Sequence, residues 1–180
     1  MRADAFPTAY DGDDYPPEWP IHQEIVGLYP EDTHRYALDT SLGSAEWRTM
    51  LPAGDGFIHL GPHDRRFGVT MFHQLQCLDV IRQALTDTQG GDANELIHHC
   101  MNYLRQMALC HSHTALESVR ADKPPKIVDL TRSMYECRDW TALYKGAEAN
   151  HLRRESVDSF GGSRQLTYRC NPEKSRGKQE

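Results

Sequence analysis

The stretches Met71–Leu85 (MFHQLQCLDVIRQAL) and Ala93–Cys110 (ANELIHHCMNYLRQMALC) decide how this chain is read, because each carries a helical apolar period and a histidine close to a cysteine. On the first, Met71, Leu75, Leu78, Ile81 and Leu85 form one stripe. At about 100° per residue, His73, Gln76, Cys77 and Val80 share another face. On the second, Leu96, Cys100, Leu104 and Met107 make the apolar stripe, with His99 and Tyr103 at its margin. His98 projects with Asn102 and Arg105 on the opposite side and reads as solvated. Thr70 is the expected cap of the first helix, and Asp92 with Glu95 has capping-box spacing for the second. The short connector Thr86–Gly91 predicts antiparallel neighbours.

Outward from this pair the pattern weakens. Residues 1–30 hold Pro7, Pro16, Pro17, Pro20 and Pro30 and the acidic run Asp11–Asp14, which predicts an extended arm. Tyr10, Tyr15 and Trp19 are expected to pin it to the body; docking of a proline-binding partner is the alternative. His34–Asp39 reads as a strand, Ser44–Leu51 as a helix begun by Ser44, Gly56–Leu60 as a strand and 61–68 as a polar loop. His59 and His63 lie near these turns and read as surface groups without a role. After Pro124 and Pro125, Ile127–Leu130 reads as a strand and Asp139–His151 as a helix with Trp140, Leu143, Tyr144 and Ala147 facing in. The expected organisation is an arm over 1–30, one domain over 31–152 and a polar tail over 153–180. The fold class is mainly α with short strands, α+β.

With 180 residues the chain can close one modest core. Its 20 basic residues against 26 acidic ones, a net charge of −6, argue against a nucleic-acid partner and for a small molecule or a protein. It has neither an apolar run of about 18 residues nor a basic-then-apolar start, so the chain as given reads as soluble, without a membrane anchor or signal peptide. Five cysteines stand without a CxxC pair. Two disulfides and a tail cysteine fit an oxidising compartment, and small buried thiols fit a reducing one.

His73 and Cys77, four residues apart, share a helical face and suit either a metal or a Cys/His nucleophile pair, although taken alone they read rather as a core histidine and a core cysteine. Consecutive His98, His99 and Cys100 diverge by about 100° each and cannot all reach one ion.

Taken together, HQLQCLDVIR, HHCMNYLRQMALCHSHTALE and YECRDWTALY, with DDYPPEWP, EWRTMLPAGDGFIHLG and RFGVTMFHQL, resemble the UstYa-like fungal proteins named from ustiloxin mycotoxin biosynthesis. The resemblance covers about residues 10–152. It implies a tailoring enzyme of secondary metabolism, in many relatives a copper-dependent oxidase, with a doubled HxxHC motif whose histidines bind the metal. Here Gln76 stands where the first motif has its second histidine, and Leu96 where the second has its first. Tyr135 replaces a histidine before Cys137-Arg138-Asp139, and His113 an aspartate. Glutamine is a poor copper ligand and leucine is none. His59, His63, His98, His111 and His113 remain as ways to rebuild a metal site.

The expectation is therefore acid/base catalysis without a cofactor, applied to a cyclisation, dehydration, isomerisation or pericyclic step. His73 and His99 would handle protons, Gln76 and Tyr135 would orient by hydrogen bonds, and Leu96, Tyr103 and Met107 would line the pocket. Cys77 with Cys100 and Cys110 with Cys137 are the expected disulfides. A copper oxidase or halogenase using His73 and His99 is one alternative. A silent scaffold is another, working as a homo- or heterodimer with a relative. The resemblance places the protein in the lumen of the secretory pathway.

Overall fold

The computed structural model describes residues 8–31, 33–87, 94–119, 128–129 and 134–160. The elements run β1 (Ile25–Leu28), α1 (Ser41–Arg48), a short 3-10 turn (Ala53–Gly56), β2 (Phe57–Leu60), β3 (Arg65–Gly68), α2 (Thr70–Thr86), α3 (Asn94–His111), β4 (Ser118–Val119), β5 (Val128–Asp129), β6 (Tyr135–Arg138) and α4 (Thr141–Phe160). The strands form antiparallel two-stranded ribbons, β1 with β6, β2 with β3 and β4 with β5. The fold is mainly α with short strands, as the sequence reading holds. No helix among the described residues is long and apolar enough to cross a membrane.

The apolar centre is small. Ile58 of β2, Phe72 of α2 and Ala147 of α4 are buried, and Trp19, Leu51, Met71, Leu75, Leu143 and Tyr144 pack around them. Phe72 meets Tyr144 edge to face at 5.1 Å between ring centres, and the Tyr144 hydroxyl donates to the Met50 carbonyl at 2.6 Å. The helical stripe read for α2 is thereby corrected: Phe72 is 1% exposed, whereas Leu78 is 41% and Leu85 72% exposed. The start of α2 is wedged between β2 and α4, so Phe72 there finds a core that residues at the far end do not.

Several local expectations change for identifiable reasons. α1 begins at Ser41, because the Thr40 hydroxyl accepts the Gly43 N–H at 2.9 Å. Ser44 instead lies within 3.3 Å of the Arg82 guanidinium. His34–Asp39 is not a strand. Tyr36 sits in the left-handed region at φ 57, with its N–H donating to the Glu46 carboxylate and its carbonyl accepting from Trp47 Nε1. The polar 61–68 segment ends in β3, whose arginines are accommodated by stacking: Arg66 over Phe57 and Arg65 over Tyr15 and Phe67. Val69, not Thr70, occupies the cap position of α2 and makes no side-chain cap. Asp92 lies outside the described residues.

The arm is extended but not without structure, since β1 pairs with β6 from Ile25 opposite Arg138 to Leu28 opposite Tyr135. Tyr10 and Tyr15 both pack on Phe67. Gly146 of α4 lets the arm sit down: a Cβ there would lie 2.6 Å from Ile21 and 2.7 Å from Trp19. α4 itself continues past Arg153 to Phe160, and the tail expected over Arg164–Glu180 lies outside the described residues.

His59, expected at the surface, is 8% exposed. The Asn150 amide clasps its backbone, accepting the His59 N–H and donating to its carbonyl, each at 2.8 Å. Arg153 donates to the same carbonyl, and Arg154 lies 2.7 Å from His59 Nε2. These contacts explain why α4 stays helical through charged residues.

Candidate active site

α2 and α3 pack against each other, and His111 at the end of α3 lines the same cavity as Thr70 at the start of α2, so the pair is antiparallel. At the seam three rings stack. His73 of α2 lies on Tyr103 at 4.2 Å between centres, with planes 27° apart. His99, one turn before Tyr103, is nearly coplanar in orientation with it, at 4° and 6.4 Å, and lies 5.8 Å from His73. The i, i+4 spacing of His99 and Tyr103 is what turns both toward α2.

His73 is half-buried, and burial, with the neighbouring His99 as a second cause, holds its pKa below the ordinary histidine value. It is therefore neutral at pH 7. Burial pushes the Tyr103 hydroxyl upward, while the side chains of Thr70 and Gln74 that reach it favour its ionised form. Tyr103 thus keeps its proton at neutral pH.

Beside this stack lies a cavity of about 240 Å³ whose wall includes Asp55, Val69, Thr70, His73, Gln76 and Tyr103. Gln76 donates its amide to the Asp55 carbonyl at 2.7 Å. That carbonyl is presented by a run of left-handed residues, Gly54 at φ 75, Asp55 at φ 58 and Gly56 at φ 76. Gly56 is needed there because a Cβ would fall 2.5 Å from that of Phe72. Asp55 was not singled out from sequence; its place between two turn glycines was the available signal.

The structure therefore brings together His73, Gln76 and Tyr103, with His99 stacked alongside and exposed. It places the other expected residues elsewhere. Leu96 and Met107 are not on the cavity wall. Tyr135 donates its hydroxyl to Glu117 at 2.6 Å and packs near His113, because the β1–β6 ribbon fixes its position. His98 is exposed and lies 3.1 Å from the Asn102 amide, as its helical face requires. No disulfide joins Cys77, Cys100, Cys110 and Cys137. Cys77 and Cys100 are 1% and 2% exposed and serve as small packing groups at the seam, while Cys110 is exposed at the end of α3.

The seam offers a copper ion few donors: the His73 and His99 ring centres are 5.8 Å apart, and the Gln76 amide nitrogen is a donor already engaged with Asp55. Among the described residues no group of three His, Cys, Asp or Glu side chains comes together around one point.

The seam thus carries a mostly apolar cavity into which Thr70, His73, Gln76 and Tyr103 bring polar groups, the composition usual for small-molecule pockets. The family model described as mycotoxin biosynthesis protein UstYa matches residues 19–150, and the chain belongs to that family. It is 31% identical over 131 residues to the UstYa family oxidase phomYb of Diaporthe leptostromiformis, covering 62% of this chain and 51% of that protein. It is 31% identical over 109 residues to the oxidase ustYa of Aspergillus flavus, covering 58% and 51%. With the oxidase ustYb of the same fungus the identity is 27% over 148 residues, covering 59% and 56%. The chain thus spans about half the length of the curated relatives it matches. No solved structure matches it.

Proposed function

We propose that this protein is a tailoring enzyme of fungal secondary metabolism that moves protons rather than electrons. The step is a dehydration, isomerisation, ring closure or hydrogen-bond-assisted pericyclic reaction on a small-molecule or peptide-derived intermediate. The observation that carries the reading is the contact of neutral, half-buried His73 with protonated Tyr103 beside one cavity. His73 accepts a proton from the substrate, and the Tyr103 hydroxyl donates to the oxygen on which charge develops. Gln76 holds the Asp55 turn against α2 with one N–H and leaves the other for the substrate. Burial, with His99 beside the pair as a second cause, disfavours the protonated form of His73.

The printed names of the relatives favour a second reading, an oxidase. Loading the protein with copper and measuring bound metal separates the two. Little stoichiometric copper, with turnover lost in His73→Ala, is expected; tight stoichiometric copper that disappears in His73→Ala would overturn the metal-free reading. Turnover by the isolated chain would exclude a silent scaffold.

A further inference from the structure

A second and larger cavity, of about 510 Å³, lies beneath the arm. Its walls are mostly aromatic and aliphatic, with Tyr15, Trp19, Phe67, Trp140 and Leu143 among them. Its size falls within the few hundred to about 1,000 Å³ usual for small-molecule sites. Gly68, Val69 and Thr70, where β3 passes into α2, line both cavities. The partition is shared: Thr70 lines both cavities and Gln74 the larger one, and both side chains favour the ionised form of the Tyr103 hydroxyl. A molecule under the arm would lie across Thr70 from the cavity that His73 and Tyr103 line.

The ionisable side chains on the larger wall are Tyr10, Tyr15, Glu18, His111 and Arg138. The register of Arg138 opposite Ile25 fixes its backbone in β6, and among the described residues it makes no ion pair. Gln23, also on the wall, is occupied with the Asp139 carbonyl at 3.0 Å. A guanidinium offers paired N–H donors in the spacing of a carboxylate, and the aromatic wall offers faces for a flat apolar body.

We propose that the chamber beneath the arm binds a flat, largely apolar small molecule bearing a carboxylate, with the carboxylate on Arg138 and the reacting end directed over Thr70. This rests on the reading of His73 and Tyr103 as the proton-handling pair for the reacting end, but binding in the chamber is measurable without turnover.

The test is calorimetric titration of the intact chain at pH 7 with indole-3-propionate and, separately, its primary amide. The acid is expected to bind about tenfold more tightly than the amide, the scale of one charge-assisted hydrogen bond. Arg138→Met should remove that difference, Tyr15→Ala should weaken both probes, and His73→Ala should change neither. Equal affinity of acid and amide for the unaltered chain, no binding of either, or a preference that survives Arg138→Met overturns the assignment. If the binding pattern holds and His73→Ala keeps full turnover, the catalytic reading fails and the chamber stands.

Discussion

Two histidines in this molecule, His59 and His73, are both buried enough to resist protonation, and they do different things. His59 is held by its neighbours: its backbone is clasped by Asn150 and Arg153, its ring lies against Arg154, and burial first and the Arg154 guanidinium second depress its pKa. His73 has a cavity on one side and two stacked rings on the other. A depressed pKa therefore does not distinguish a structural histidine from a reactive one. Access and the freedom of the ring nitrogens do.

The comparison breaks most decisively at His73. Replacing it with Ala should lower turnover by ~10²–10⁴, the usual contribution of a general acid or base, while denaturant unfolding moves little. A loss of stability without loss of rate would make His73 a packing residue like His59. The opposite behaviour is expected at the clasp. Asn150→Ala should destabilise by about 1–3 kcal/mol, because it strands the peptide groups of nearly buried His59. Its measure is the urea midpoint, with kcat unchanged.

Gln76→Leu lies between the two. It should cost about 1 kcal/mol of stability through the Asp55 contact and lower kcat roughly tenfold, read from kinetics and unfolding on one preparation. The smallest effect is on pH. Both histidines have folded pKa values below the ordinary 6.5. The unfolded chain then binds more protons below that pH. The stability due to keeping them neutral is full above 6.5, falls as the pH drops below it, and levels off under the folded pKa values. Unfolding followed between pH 7.5 and 5 should show a shallower decline in His59→Gln; an unchanged decline would remove His59 from the account.

The helix pair was legible because its apolar period is long, and the stacking of His99, Tyr103 and His73 follows from spacing within α3 and contact with α2. What stayed hidden depended on partners distant in sequence. β3 was masked by its arginines, which are satisfied only once Phe57, Phe67 and Tyr15 stand under them. Phe72 was lost among other apolar positions of α2, since only the placement of Tyr144 shows which side is the core. Tyr135 was expected in the same cavity as His73 from motif resemblance, which carries no information on the pairing of β6 with β1. Asp55 belongs to the cavity through a turn geometry that composition only hints at.

Gly146 gives the fold a single adjustable screw. Since a methyl group at that position would press on both Ile21 and Trp19, a small residue beneath the arm sets how closely the roof approaches the floor. Exchange for alanine would press the roof outward while altering none of the polar groups, so the thickness of guest that the proposed chamber admits is tuned from a position that need never touch it.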